Sequence, residues 1–140
     1  MFELTTDAHF DSAHFLTDYY GKCENLHGHR WGVSVAITSS RLQAAGNELG
    51  MVMDFGQFKK IVKEVADEFD HTTLLEAGSL KDETVKALID EGFTVKILSF
   101  RTTAENLAKY FCQKLEARGL NCSWVEVRET PNNRAKYINN

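Results

Sequence analysis

Apolar and polar positions alternate at the start of the chain. Phe2, Leu4, Ala8 and Phe10 share one parity, which predicts a strand with one buried face. Continuing that parity puts Ser12 and His14 on the same face, and His9 on the other, as a non-ligand. Tyr19 to Lys22 reads as a turn. A second strand runs from Trp31 to Thr38, with Trp31, Val33, Val35 and Ile37 inward. Ser39 to Gly50 is polar and reads as a loop, followed by a short apolar strand at Met51-Val52-Met53.

The period then changes from two to that of a helix. Asp54 is placed as an N-cap with Gln57 three residues on. Phe58, Ile61, Val62, Val65 and Phe69 form one apolar stripe, in a helix expected to end near Asp70-His71. Residues 80 to 91 are a weaker helix closed by Gly92, and Phe93 to Phe100 is a strand or an extended connection. Thr102-Thr103-Ala104-Glu105 has capping-box spacing, so Glu105 reads as a cap residue. Leu107, Ala108, Phe111 and Leu115 make the next stripe, and Gly119 is a natural stop. A strand from Ser123 to Glu129, the turn Pro131-Asn132-Asn133 and a return over Ala135 to Ile138 close the chain. This order predicts an α+β fold with helices on one face of an antiparallel sheet.

Composition narrows the class. One domain spanning 1–140 fits the 140 residues. The chain is 43% hydrophobic and 26% charged, as in soluble globular proteins. A net charge of −4 argues against a general nucleic-acid binder. No apolar run approaches the ~20 residues of a membrane span. Cys23, Cys112 and Cys122 are an odd, widely spaced set that fits free thiols in a reducing, cytoplasmic setting.

The candidate chemistry gathers near residue 27. On an extended backbone His27 and His29 face the same way, alongside Trp31. With His14 upstream they make three neutral imidazoles, a set that suits Zn2+ with a fourth position open for water or substrate. Gly28 reads as a position kept bare for close approach. Cys23 is either a thiolate base or nucleophile or a small buried hydrophobe. Cys112, and Cys122 after it, take the buried reading. Asp70-His71 is either an acid/base pair or a helix-terminal cation. Glu129 ends an apolar strand face. It either accepts two parallel hydrogen bonds from an amidine-like edge or reaches solvent or Arg128.

These residues together resemble the 6-pyruvoyl-tetrahydropterin synthase / 6-carboxytetrahydropterin synthase family over nearly the whole chain. The resemblance rests on Phe10-x-x-Ala13-His14, Cys23-x3-His27-Gly28-His29, Gly50-Met51-Val52-Met53-Asp54-Phe55, Asp70-His71, Thr103-Ala104-Glu105-Asn106-Leu107 and Val125-x-Val127-x-Glu129-Thr130. It implies the tunnelling fold, an antiparallel sheet with two helices on one face. It also implies homo-oligomeric barrels, trimers or dimers of trimers, with active sites between subunits. His14, His27 and His29 would hold zinc. Cys23 would be the proton-abstracting thiolate, with Asp70 and His71 as partner pair. Glu129 would anchor the pterin ring, with Thr103 and Glu105 as further substrate contacts.

The implied substrate is 7,8-dihydroneopterin triphosphate. The implied products are 6-carboxy-5,6,7,8-tetrahydropterin, acetaldehyde and triphosphate, as in bacterial queuosine biosynthesis. The gap of three residues between Cys23 and His27 resembles these carboxy synthases, whereas the animal pyruvoyl enzymes have a longer gap. The alternatives are a pyruvoyl synthase and a non-catalytic zinc or pterin-binding module. Three features depart from the family pattern: Thr102 in place of a common proline, Arg30-Trp31 after His29, and a long segment from Glu76 to Lys96. Lys22, Arg30, Arg101 and Arg134 are cations available to a triphosphate, and nothing in the sequence ranks them.

Overall fold

A computed structural model describes residues 1–140. The alternating start forms β1 (Phe2–His14), which pairs antiparallel along its length with β2 (His27–Ser39). The chain continues through α1 (Phe55–Asp67), β3 (Thr72–Glu76), α2 (Asp82–Asp90), β4 (Val95–Leu98) and α3 (Ala104–Ala117) to β5 (Cys122–Thr130) and β6 (Asn133–Ile138). The six strands form one sheet in the order β4-β3-β1-β2-β5-β6.

The sheet is mixed, which corrects the expectation of a purely antiparallel one. β3 runs parallel to both β1 and β4. Parallel neighbours need a crossover, and α2 supplies it between β3 and β4. The two helices expected on one face are α1 and α3, and α2 is the weaker helix read at residues 80 to 91. α1 and α3 bury their apolar stripes, whereas α2 buries no residue. The Met51–Met53 segment is not a strand. It closes a turn in which Gln43 N–H donates to the Met51 carbonyl at 2.8 Å, and Val52 and Met53 rest against the core instead.

Local signals explain the helix ends. Asp54 caps α1 by accepting from Gln57 N–H at 3.0 Å. α1 stops at Asp67, before Asp70-His71. The cap of α3 is Thr103, whose hydroxyl accepts from Asn106 N–H at 3.3 Å. The expected box is therefore shifted by one residue, and Glu105 sits in the first turn without closing it. At the far end Gly119 adopts φ +84°. Leu120 N–H bonds back to Leu115 and Gly119 N–H to Glu116, the two bonds of a Schellman stop.

One sheet face packs under α1 and α3, where Phe10, Trp31, Val33, Val35, Val125 and Val127 are buried. The other face is polar. Arg128 donates there to Ser34 Oγ at 2.7 Å and Glu126 at 3.1 Å, and Ser34 donates to Asp7. Gly32 leaves room for this network, since a Cβ would stand 2.8 Å from the Arg128 guanidinium and push that side chain aside. Gly28 is not so constrained: a Cβ there would meet only the Ser12 carbonyl, at an ordinary 3.7 Å.

Phe69 joins the layers. Its ring is fully buried, 5.2 Å from Phe10 and 5.5 Å from Phe111. Phe69→Ala is expected to destabilise the protein by about 3–5 kcal/mol, through lost burial and the cavity it leaves. Urea unfolding at matched protein concentration measures this.

Candidate active site

The β1–β2 register sets His14 opposite His27 and Ser12 opposite His29. All three histidines thereby share the core face at one end of the hairpin. Their candidate ligand atoms lie within 4.8 Å of one another. Trp31 is the floor of the cluster. It is fully buried, its ring lies edge-on 4.8 Å from His14 and 5.1 Å from His29, and its indole N–H donates to the Ser12 carbonyl at 3.2 Å.

The outer ring nitrogens of two histidines are committed elsewhere. His14 Nδ1 faces the Thr102 carbonyl at 2.8 Å and the Thr102 hydroxyl at 3.1 Å; His27 Nδ1 faces the Asn25 carbonyl at 2.6 Å. Donation from Nδ1–H fixes the tautomer and leaves Nε2 as a lone-pair donor. The Nε2 atoms of His14, His27 and His29 are all buried, and none has a hydrogen-bond partner. Three convergent, unpartnered imidazole nitrogens fit a divalent transition metal such as zinc. Burial holds His14 well below the ordinary histidine range, to about 4. The Thr102 carbonyl opposes that shift, and the neighbouring histidines add to it. Burial also lowers His29, against the pull of Glu129. At neutral pH such groups are unprotonated, as metal binding requires.

Glu129 follows Val125 and Val127 on the inward face of β5, and its carboxylate reaches the cluster. Its oxygens lie 3.9 Å from His14 Nε2 and 4.0 Å from His29 Nε2. It also lines a cavity of about 350 Å³ with Thr103, Glu105, Arg101 and Arg134. The structure therefore brings the three expected substrate contacts into one concavity, with Glu129 at its border with the histidines.

Cys23 lies in the loop between the two strands, within a 3₁₀ turn at Lys22–Glu24. It is half-buried, and its carbonyl accepts from Leu16 N–H at 2.8 Å. Because His14 and His27 are paired, this loop starts and ends at the cluster. Cys112 and Cys122 are buried, as the sequence suggests, and burial raises both thiols.

Asp70 and His71 bond each other directly, Nδ1 to carboxylate at 2.8 Å. Neighbours in sequence can do this here because His71 adopts a left-handed backbone, φ 55°, uncommon for a side chain of its size. The turn is tied to β1 on both sides. Asp11 N–H donates to Asp70 Oδ1 at 2.8 Å, and His71 N–H donates to the Asp11 carbonyl at 2.7 Å. The Asp11 bond holds the Asp70 carboxyl below its usual range, and Asp70 raises His71. This geometry removes the helix-terminal reading, since α1 has already ended. The pair lines a second concavity with His9, Asp11, Lys59 and Lys63. The two concavities share no residue, and Cys23 lines neither.

Three supporting groups are invisible in the sequence. The Thr102 and Asn25 carbonyls orient histidines through backbone atoms, which no residue type reveals. The Asp11 backbone holds the Asp70-His71 turn in the same way. Thr102 itself carried a signal, a hydroxyl residue doubled before a helix, but the capping-box spacing absorbed it.

The comparisons agree with this geometry. The family model for 6-pyruvoyl tetrahydropterin synthase matches residues 3–140. A 6-carboxy-5,6,7,8-tetrahydropterin synthase of Haemophilus influenzae is 34% identical over 140 residues, covering 98% of this chain and 99% of its own. Among solved structures, an uncharacterized protein from Wolinella succinogenes superposes with a TM-score of 0.82 at 22% identity, over 99% of this chain and 98% of its own. The 6-pyruvoyl tetrahydropterin synthase of Plasmodium vivax gives 0.70 at 22% identity, over 99% and 97%. At these identities the structures speak for the fold.

Thr102→Val keeps the carbonyl that faces His14 and removes the hydroxyl. It is expected to weaken zinc binding about tenfold, read by competition with a chelator. The metal-stripped protein should also lose stability as pH falls. His14 holds its proton less tightly folded, at about 4, than its ordinary 6.5. Between those values the unfolded chain binds more protons, so stability drops progressively below about 6.5 and levels near 4. Thermal melts across that range, with and without His14→Asn, isolate the contribution.

Proposed function

The chain belongs to the 6-pyruvoyl tetrahydropterin synthase family, and on that premise we propose that it is a zinc-dependent lyase acting on 7,8-dihydroneopterin triphosphate. With one water consumed, the proposed products are 6-carboxy-5,6,7,8-tetrahydropterin, acetaldehyde and triphosphate, a step of queuosine and 7-deazaguanine biosynthesis. The observation that carries the reading is the set of three buried Nε2 atoms without partners. The carboxy product is favoured over the pyruvoyl one by the short Cys23–His27 spacing and by relatives named as carboxy synthases. Its three cysteines are free, and no helix is long and apolar enough to cross a membrane. We place the enzyme in the cytoplasm on the cysteine usage.

The residues take the following parts. His14, His27 and His29 hold zinc, which when bound supplies Lewis-acid polarisation of the substrate's side-chain oxygens. Glu129 accepts two N–H bonds from the amino-pyrimidine edge of the pterin. Thr103 and Glu105 line the same cavity and complete its polar rim. Cys23 takes the side-chain proton. Asp70 keeps His71 in the Nδ1–H tautomer, so that its exposed Nε2 side can exchange a proton.

Because Asp70-His71 and Glu129, which stands beside the histidine cluster, line separate concavities, we draw the complete site from two copies of the chain. The sheet edges support such an assembly. β1 pairs with β3 only at Ser12 and Ala13, so its other residues leave that edge open, and β6 is a free edge at the end of the sheet order. β6 runs antiparallel to β1, so edge pairing between copies continues an antiparallel β1-β2-β5-β6 series into a barrel. The polar sheet face would then line its interior.

Product identification tests the reading. Zinc-loaded protein is given 7,8-dihydroneopterin triphosphate, and pterin and volatile products are read by mass spectrometry. A 6-carboxy pterin with acetaldehyde is expected. A 6-pyruvoyl product without acetaldehyde would move the chain to the pyruvoyl branch, and intact substrate would favour a binding module. Cys23→Ala is expected to keep zinc and lose at least ~100-fold in turnover, the size of a general-base contribution. His27→Ala should lose stoichiometric zinc; if it retains the metal, the ligand assignment is wrong.

A further inference from the structure

Arg101 stands out among the cations that the sequence could not rank. Arg30 is paired with Asp11, and Arg134 with Glu126. Arg101 is half-buried, lines the cavity that holds Glu129, and has no carboxylate within ion-pair distance. Its guanidinium is instead spent on the loop that carries Cys23. It donates to the Thr17 carbonyl and lies 5.9 Å from the centre of the Tyr19 ring.

That loop, residues 15–26, has little else to hold it. Its internal bonds are Leu16 to Cys23, Glu24 to Gly21 and Asn25 to Lys22, the last from both the backbone and the side-chain N–H. No ion pair involves Asp18, Lys22 or Glu24, and Tyr19, Tyr20 and Leu26 are exposed. Apart from the strand ends it joins, two hydrogen bonds attach it to the rest of the protein. One is from Arg101 to Thr17; the other runs from the Thr102 hydroxyl to the Phe15 carbonyl at 3.3 Å.

The base of the clamp is rigid. The Arg101 carbonyl accepts from Thr103 N–H at 2.8 Å and from the Asn106 side chain at 2.9 Å, both at the N-terminus of α3. The next residue, Thr102, is fully buried and faces His14. Consecutive residues thus hold the thiol loop, a metal-site histidine and the helix cap.

We infer that Arg101 is a positioning residue that fixes the Cys23 loop, which begins and ends at the histidine cluster, by clamping Thr17 and Tyr19 to the start of α3. The catalytic part of this inference rests on the proposed role of Cys23; the mechanical part does not. A reacting thiol displaced by an ångström forfeits much of its rate, so a clamp remote from the sulfur still governs turnover.

The test uses the full-length, zinc-loaded protein with Arg101→Ala and Arg101→Lys. Iodoacetamide reports on Cys23, because Cys112 and Cys122 are buried; peptide mass spectrometry confirms the site. In Arg101→Ala the Cys23 alkylation rate should rise about fivefold or more, and amide exchange should quicken across residues 15–26 but not in α3. Zinc content should be unchanged. Turnover should fall about tenfold or more with KM within about threefold of the parent, and Arg101→Lys should fall between, since lysine keeps the donor but loses the planar fork.

Unchanged alkylation and loop exchange would overturn the inference. So would a large rise in KM with kcat preserved, which would make Arg101 a substrate contact. Faster exchange throughout α3, or loss of zinc, would reduce it to a general structural residue. Cys23→Ala is the separating control. If it retains full turnover, the proposed role of Cys23 fails while the alkylation and exchange results still decide the clamp.

Discussion

The site depends on the register between β1 and β2. Side chains on a strand alternate faces, so a slip of one residue would carry His27 and His29 to the polar side and leave His14 alone among apolar groups. The register is held by burial far from the histidines. Leu4 pairs with Ile37, Ala8 with Val33 and Phe10 with Trp31, all on the face under the helices. The β2 member of each pair would be exposed by the same slip. The precision of the cluster is therefore inherited from the hydrophobic effect along the whole hairpin, and Trp31 is where core and site meet. Its indole fills the space beneath two histidines and its N–H is tied to β1.

The same residue type is biased toward opposite charge states. His14 and His71 both direct Nδ1 at an oxygen, which leaves Nε2 buried among the cluster in the first and exposed in the second. His14 is buried against two further imidazoles, so the charged form is disfavoured and Nε2 stays a lone-pair donor. His71 is exposed and faces a carboxylate, so the charged form is favoured. Burial and partner charge, rather than the imidazole, decide which can bind a cation and which can pass a proton. Asp70 can do this because the Asp11 amide keeps it ionised.

Much of this was legible in the chain. Strand parity placed His14, His27 and His29 on one face and excluded His9. Helical stripes located α1 and α3, and Gly119 marked the end of the latter. The failures share a physical origin. β3 is short and lies between a turn and a crossover, so it offers no sustained alternation, and its parallel pairing is a long-range property. Met51-Val52-Met53 has strand-like residues but no neighbouring edge to bond to, so it packs as a turn. Thr102 was absorbed into a helix cap because cap spacing is local, whereas its bond to His14 spans the chain. The Asp70–His71 geometry is set by a turn that residue types do not reveal: His71 takes a positive φ, and two bonds to Asp11 hold the turn.

One chain also carries more than one hairpin can unite. Asp11 lies between Ser12, which faces the core near the histidines, and the turn that presents Asp70 and His71. The dyad is held at the β1 edge that meets β3, through the backbone N–H and carbonyl of Asp11, whereas the side chains of Ser12 and His14 face the core. In the proposed reaction, which uses both groups, a second copy would bring them together, and the open edges of β1 and β6 are where a sheet can accept one without breaking a bond it already has.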